Sequence, residues 1–206
     1  MDFKSIKNLL EIEGTSNPKL VKGNQIIQFS AKYNPHSKQA WGKFATPRNF
    51  ALKRYNEFLA GRYCINKALN LGIPLGISKS GGPDWPSDFC GSLTHTNGYV
   101  SVIVSKKSFY KSVGYDAETI FDKQLAKKLE RFIISSTELK RFDSNYEKSL
   151  TLTYSAKESL FKALSPLTGI FYMQIFMHKT GLFQSSLKKL SPHRNFNFCK
   201  IKFVKK

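Results

Sequence analysis

The sequence predicts an α+β fold made of two halves, each of which mixes β-strands with one long helix. The first observation is that apolar residues recur at helical spacing in two stretches, over residues 46–72 and 149–165. The second is that strand-like runs lie on both sides of a short break at residues 106–112. We therefore expect an N-terminal half over residues 1–110 and a C-terminal half over residues 111–206.

The elements of the N-terminal half carry start and stop signals. Thr46 would cap the first long helix, Pro47 suits its first position, and Gly72 would end it. The stretch "SKSGGPDWPSD" is rich in glycine and proline, which predicts a loop. Two strand-like runs, "CGSLTHT" and "YVSVIVS", follow it and are joined by Asn97-Gly98, the dipeptide that favours a tight hairpin.

The C-terminal half is predicted to open with a strand at "VGYDAE". A helix is expected from Asp122, and Ser135 with Glu138 matches the capping box that opens a shorter helix. The long helix from Ser149 should end before Pro166, because proline interrupts helices. The tail, with "GIFYMQIFM" and "FNFCKIKFV", is predicted to be β-rich.

The charge of the chain indicates an anionic partner. Lysine and arginine number 33 against 14 acids, which gives a net charge of +19, and residues 14–56 and 159–206 contain no acid. Nucleic acid, a phosphorylated cofactor, an acidic protein and a membrane surface are all compatible with such a charge. The three separated cysteines and the absence of a long apolar run favour a reduced, cytoplasmic protein without a membrane segment.

Two acids stand two positions apart in "VGYDAETI" and define the candidate site. Asp116 and Glu118 would share one face of the predicted strand and would repel each other without a cation. Glu158 lies on the later helix with Lys162 one turn away, a spacing that also fits an ordinary surface ion pair. If Glu158 faces the strand, the three carboxylates converge, and such hard oxygen ligands suit Mg²⁺ or Mn²⁺.

These residues resemble the motifs of a known family. "VGYDAE" resembles its G-[IV]-D-x-E motif, and "SAKESLFK" resembles its [WF]-S-x-K-E-[AS]-x-[FY]-K motif. "FLAGRYCINKAL", "GGPDWP" and "GSLTHT" match further motifs in the expected order. Over residues 54–162 the chain is similar to the 4′-phosphopantetheinyl transferases of the enterobactin synthase component D type. It departs from the pattern at Tyr115, Tyr154 and Ser159, none of which is an expected metal ligand.

The resemblance implies transfer of 4′-phosphopantetheine from coenzyme A to a serine of an acidic acyl or peptidyl carrier protein, with release of 3′,5′-ADP. It implies that Asp116, Glu118 and Glu158 bind Mg²⁺, with Mn²⁺ as the alternative. Glu158 would also take the serine proton, directly or through water, and Lys162 would stabilise or protonate the departing phosphate. A monomer of two similar α/β halves, a pseudo-dimer packed side by side with the active site between the halves, is expected.

The resemblance also assigns residues to coenzyme A. His95, with Thr94 beside it, would contact the 3′-phosphate. Arg54 and Arg62 would bind the nucleotide phosphates, with Lys53 as the alternative to Arg54. The adenine-side loop would be formed by Gly82 and Pro83. A siderophore, nonribosomal peptide or polyketide synthase is the expected kind of pathway.

Two other functions are compatible with parts of the sequence. A metal-dependent nuclease also uses separated acids and a lysine, but such sites commonly place acid and lysine two apart on one strand, whereas Glu158 and Lys162 are four apart on a helix. A noncatalytic nucleic-acid-binding module would explain the net charge, but clustered acids repel phosphates. We therefore expect no nucleic-acid partner.

Overall fold

The computed structural model describes residues 3–13, 18–21, 25–40, 50–72, 75–78, 81–140, 142 and 145–169. The chain divides into two compact units, Met1–Lys111 and Ser112–Lys206, here called unit 1 and unit 2. The described elements make the protein α+β, as predicted.

Unit 1 is built on a four-stranded antiparallel sheet. The strands are β1 (Lys19–Val21), β2 (Ile26–Lys32), β3 (Phe89–Thr96) and β4 (Tyr99–Lys106), and their order across the sheet is β1-β2-β4-β3. Two helices accompany them, α1 (Phe3–Leu9) and α2 (Leu52–Leu69), and a short 3₁₀ turn lies at Lys38–Ala40.

The core of unit 1 lies where α2 meets the sheet. Apolar side chains of α1, α2, β2 and β4 form one buried cluster that includes Leu10, Leu59, Tyr63 and Val102. Burying each such side chain contributes roughly 1.5–3 kcal/mol relative to leaving it in water, so this face of α2 fixes the helix on the sheet. The functional residues predicted on α2 and β3 therefore extend from rigid elements.

The boundaries of α2 differ from the sequence-based expectation. The helix begins after Ala51, which caps it without a side-chain hydrogen bond, and residues 41–49, with Thr46 and Pro47, lie outside the described residues. Asn70, not Gly72, ends the helix, because Asn70 adopts the left-handed conformation at φ 53° and its N–H donates to the Asn66 carbonyl. Asparagine reaches this conformation more easily than most residues, so it can replace glycine there.

The predicted hairpin is confirmed. Thr96 pairs with Tyr99, and Asn97 and Gly98 between them have φ values of 40° and 75°. Positive φ at both turn positions is what the tight hairpin turn requires, and Asn-Gly supplies it at low strain.

The described part of unit 2 contains three helices, α3 (Lys123–Ile133), α4 (Ser136–Leu139) and α5 (Tyr146–Thr168). The Asp122 side chain caps α3 by accepting from the Leu125 N–H, and Ser135 and Glu138 form the complete capping box of α4. Both N-terminal signals are therefore confirmed.

Helix α5 is longer than predicted at both ends. It begins after Asn145, whose side chain accepts from the Lys148 N–H, and it continues through Pro166 to a left-handed Gly169. Pro166 lies in the last turn, where its missing N–H removes one hydrogen bond close to the end of the ladder. The expectation that the helix stops before Pro166 was wrong for this reason.

The expected strand at "VGYDAE" is absent from the described structure: residues 112–118 belong to no helix or strand there. Within the same described residues unit 2 shows helices and no strand, so the predicted likeness of the two halves is not confirmed. The predicted β-rich tail lies outside the described residues.

None of the helices in the described residues is both long and apolar enough to cross a membrane.

The two described cysteines should be unreactive in the native protein. Cys64 and Cys90 are buried free thiols, and burial raises the pKa of Cys90 to about 11 and that of Cys64 still further. At pH 8 the thiolate of Cys90 is then roughly one part in a thousand, and only the thiolate reacts. In a Cys199→Ser background, a chromogenic disulfide reagent should label neither thiol in buffer over minutes and both in denaturant. Rapid labelling in buffer would contradict this core.

Candidate functional site

A close approach at Gly114 sets the geometry of unit 2. A Cβ at this position would lie 1.9 Å from the Ser159 carbonyl oxygen and 2.8 Å from the Ala163 Cβ, so a side chain cannot be placed there without moving α5. The five residues from Val113 to Ala117 are all buried. Glycine thus lets this segment lie directly against the helix.

Asp116 is held by two side chains of α5. It is 5% exposed, Ser155 Oγ donates to its Oδ2 at 2.9 Å, and Lys162 Nζ donates to its Oδ1 at 2.7 Å. Ser155 and Lys162 lie two turns apart and therefore on one face of the helix. We call Asp116, Ser155 and Lys162 the Asp116 cluster. A buried carboxylate needs such partners, because an unpaired charge is costly to remove from water.

The other two predicted metal ligands lie nearby in the chain. Glu158 is on α5 between Ser155 and Lys162 and is 9% exposed, while Glu118 is partly buried and its Oε1 accepts from the Thr119 N–H at 2.9 Å. Helical spacing puts Glu158 on the same side of α5 as Ser155 and Lys162.

The fit of a metal ion can be tested on these residues. As the side chains stand, no group of three or more His, Cys, Asp or Glu side chains within the described ranges comes together closely enough to hold a metal ion. The positive charge beside Asp116 is the Lys162 ammonium. The donor chemistry fits, since three carboxylates without imidazole or thiolate suit Mg²⁺ or Mn²⁺. The assignment of Asp116, Glu118 and Glu158 as metal ligands stays a prediction.

Lys157, which lies in the same "SAKESLFK" segment, makes a structural contact. Its ammonium donates to the Ile133 carbonyl at the end of α3 and pairs with Glu138 Oε1 at 2.9 Å. Burial alone would raise the pKa of Glu138, but hydrogen bonds from the Ser135 backbone and from Lys157 lower it below its ordinary value. Lys157 therefore ties α5 to the start of α4.

Unit 1 brings together Arg54 and His95, which were both predicted to bind coenzyme A, and adds Glu57. Arg54 Nη1 lies 2.8 Å from His95 Nε2 and 3.2 Å from Glu57 Oε2, and the same Oε2 is 3.7 Å from His95 Nδ1. Arg54 is half exposed, whereas Glu57 is mostly buried. We call Arg54, Glu57 and His95 the Arg54 cluster.

Arg62 occupies a different environment from Arg54. It is 3% exposed, its Nη2 donates to the Gly76 carbonyl at 2.8 Å, and its guanidinium lies 4.5 Å from the centre of the Phe58 ring. Burial, and secondarily the charge of Arg54, lowers the pKa of Arg62 to about 10. Its buried Nε has no hydrogen-bond partner in the described part of the chain, so it can still donate to an acceptor such as a phosphate.

The remaining predicted residues lie on β3 and in the loop before it. Thr94 is buried within β3, next to His95. The Gly82 carbonyl accepts from the Ser78 N–H at 2.9 Å, and Pro83 bridges to Ile77, so Gly82 and Pro83 form a folded turn.

Sequence reasoning missed Ser155 and Glu57 as site residues. Glu57 could have been found, because it follows Arg54 by three positions on a helix and such residues face each other. Ser155 had a signal too, because it opens the matched motif "SAKESLFK", but its hydrogen bond to Asp116 joins residues far apart in the chain and no local pattern predicts it.

Comparison with known proteins gives matches in both units. A family model described as the 4′-phosphopantetheinyl transferase N-terminal domain matches residues 45–105, and one described as the 4′-phosphopantetheinyl transferase superfamily matches residues 112–202. Together the two models cover more than half of the chain.

Among individual proteins, the 4′-phosphopantetheinyl transferase Svp of Streptomyces mobaraensis is 37% identical over 128 residues, which cover 57% of this chain and 51% of that protein. The 4′-phosphopantetheinyl transferase Npt of Nocardia iowensis is 35% identical over 57% of this chain and 54% of that protein. Enterobactin synthase component D of Salmonella austin is 36% identical over 57% of this chain and 51% of that protein. The chain thus spans about half the length of the relatives it matches.

Gly114→Ala should destabilise unit 2 strongly. The added methyl would meet the Ser159 carbonyl, which is helix backbone and cannot rotate away, so we expect a loss of about 3 kcal/mol of unfolding free energy or more in urea denaturation. Gly169→Ala is the matched control, because a Cβ there meets no atom of the described residues within 4 Å and the cost comes from its φ of 67°, about 1 kcal/mol. Equal losses for both variants would contradict the close approach.

Ser155→Ala should cost about 1–3 kcal/mol, because it leaves the buried Asp116 Oδ2 without this donor. Ser165→Ala on the same helix should change the unfolding free energy by no more than roughly 0.5 kcal/mol, since alanine favours helix and Ser165 is not buried. Denaturation of both variants under one set of conditions provides the comparison, and a Ser155→Ala variant as stable as the control would rule out the bond to Asp116.

Proposed function

The chain belongs to the 4′-phosphopantetheinyl transferase superfamily, and on that premise we propose that it transfers the 4′-phosphopantetheine group of coenzyme A to a serine of a carrier protein. The observation that carries the proposal is the Asp116 cluster, in which a buried acid and a lysine face each other within the segment matched by the superfamily model. We assign metal and catalytic residues to unit 2 and nucleotide-binding residues to unit 1.

In the proposed reaction the serine oxygen forms a bond to the phosphorus that carries the pantetheine arm. The bond between that phosphorus and the bridging oxygen of coenzyme A breaks, and 3′,5′-ADP leaves. Glu158 takes the serine proton, directly or through one water, in the role of general base. Lys162 stabilises or protonates the departing phosphate. The contact with Asp116 holds the Lys162 ammonium in position for this role.

Asp116, Glu118 and Glu158 would hold Mg²⁺, with Mn²⁺ as the alternative. When bound, the ion would neutralise charge that develops on the phosphate oxygens. Ser155 is a further part of the proposed machinery, because its hydrogen bond orients the Asp116 carboxylate.

Arg54, Arg62 and His95 would bind the phosphates of the nucleotide, with Thr94 supporting His95 on β3. Arg62 brings a buried N–H that still lacks an acceptor among the described residues, which supports a role in binding an anion. Gly82 and Pro83 would form the turn beside the adenine.

The net charge of +19 supports an acidic carrier protein as the partner, because opposite charges raise the rate of encounter. We propose an acyl or peptidyl carrier protein of a siderophore, nonribosomal peptide or polyketide synthase. The relatives named enterobactin synthase component D support the siderophore case. A cytoplasmic monomer is the proposed working form.

The activity is tested by intact mass spectrometry of an apo carrier protein after incubation with the protein, coenzyme A and Mg²⁺. We expect the carrier to gain the mass of one phosphopantetheine and the gain to disappear with chelator. Asp116→Asn and Glu158→Gln should reduce the rate by about 100-fold or more, the scale typical of losing a general base or a preorganised charge.

Lys162→Met should also slow transfer strongly, while Lys148→Met, at an exposed position of the same helix, should not. Circular dichroism of each variant separates a loss of chemistry from a loss of fold. If the folded protein modified none of several acyl and peptidyl carriers, the proposed function would be wrong.

A further inference from the structure

The contact between Arg54 and His95 fixes the protonation of the imidazole. Arg54 Nη1 lies 2.8 Å from His95 Nε2, and a guanidinium carries donors and no acceptor. Nε2 must therefore accept this hydrogen bond with its lone pair. It follows that in this arrangement His95 is a neutral imidazole whose proton is on Nδ1.

Glu57 faces the other nitrogen of the same ring. Its Oε2 lies 3.7 Å from His95 Nδ1, which is the nitrogen that carries the proton. The same oxygen is 3.2 Å from Arg54 Nη1, so one carboxylate lies beside both the guanidinium and the imidazole. A negative charge at this distance favours the doubly protonated ring over the neutral one.

Two further titratable side chains of the described residues interact with this cluster: Arg62, whose pKa is lowered by burial and also by the charge of Arg54, and Tyr33, which follows β2. Burial raises the pKa of Tyr33 far above its ordinary value, the charge of Glu57 raises it further, and the charge of Arg54 acts in the opposite direction. Tyr33 therefore stays neutral at every pH at which the protein would work. Arg54 and Glu57 on α2 supply the charges that face His95.

A phosphate cannot take the place of Arg54 while Nε2 of His95 is unprotonated, because phosphate oxygens accept hydrogen bonds and the lone pair of Nε2 would point at them. His95 could donate from Nε2 either by moving its proton from Nδ1 to Nε2 or by gaining a second proton while Nδ1 keeps its own. The first change would turn a lone pair on Nδ1 toward Glu57 Oε2, 3.7 Å away, and the repulsion between them favours the second. We propose that binding of a nucleotide phosphate at the Arg54 cluster takes up a proton on His95 Nε2, and that Glu57 is the positioning residue that favours the resulting imidazolium.

This inference rests on the proposed role of the Arg54 cluster in binding the nucleotide. One proton is taken up from water or buffer when the phosphate binds. The Arg54–His95 hydrogen bond breaks, and Arg54 and His95 then both donate to the phosphate. Histidine is the side chain whose charge changes near neutral pH, so the proton uptake should be measurable at neutral pH.

The test is isothermal titration calorimetry of the full chain with 3′,5′-ADP at pH 7.5, in buffers with different enthalpies of ionisation. The slope of the binding heat against the ionisation enthalpy gives the number of protons taken up. We expect about 0.5–1 proton per nucleotide. The phosphates contribute little, because their second pKa is about 6 and they are already mostly dianions at this pH.

Two variants assign the proton. His95→Gln keeps an N–H donor that needs no protonation, so it should still bind the nucleotide but with a slope near zero. Glu57→Gln should lower the proton uptake at pH 7.5 to roughly half or less, because the imidazolium loses its negative neighbour. The affinity for the nucleotide falls as the pH rises, and in this variant that fall should begin at a lower pH than in the wild type. Glu13→Gln, an exposed acid of unit 1, is the charge-matched control and should behave as the wild type.

The outcomes are distinguishable. Binding by the wild type with no proton uptake, or unchanged uptake in His95→Gln, would overturn the inference and leave the proposed function standing. Unchanged uptake and an unchanged pH profile in Glu57→Gln would overturn the role of Glu57. If the folded wild type binds no 3′,5′-ADP at all, the nucleotide assignment in the proposed function fails first.

Discussion

The close approach of the segment Val113–Ala117 to α5 is the constraint on which the candidate catalytic site depends. It exists because Gly114 has no side chain where the Ser159 carbonyl passes. Because of this contact, Asp116, two residues after Gly114, comes within hydrogen-bond distance of both Ser155 and Lys162. One missing methyl group thus determines how a buried acid meets its partners.

The Asp116 cluster and the Arg54 cluster both compensate a largely buried carboxylate, but with different partners. In the Asp116 cluster a lysine and a hydroxyl satisfy the two oxygens of a buried acid, and in the Arg54 cluster one acid serves an arginine and an imidazole. Charged groups removed from water need such compensation. Arg54 and Lys162 are therefore each already paired with an acid, and an anion that binds either of them has to exchange partners with that acid.

The parts of the fold that were predicted correctly from the sequence are those determined by residues close to one another in the chain. The Asn97-Gly98 turn and the capping box of Ser135 and Glu138 each depend on residues a few positions apart, and both are confirmed. The predicted ends of the two long helices were wrong. Asn70 ends α2 in place of the expected glycine, and α5 continues through Pro166, which lies in its last turn. Asp116 and Lys162 were predicted as site residues from their motifs, and that prediction stays open. Their direct contact, like that of Ser155 with Asp116, depends on long-range packing, which no local pattern predicts.

Trp85 has a use that follows from its packing. A Cβ on Gly91 would lie 2.4 Å from the Trp85 ring, so the indole is stacked on the backbone of β3, the strand that carries Thr94 and His95. The chain contains two tryptophans, so replacing Trp41 by phenylalanine would leave one indole. Its emission would then be an intrinsic optical probe of this strand, readable in the unlabelled protein during rapid mixing.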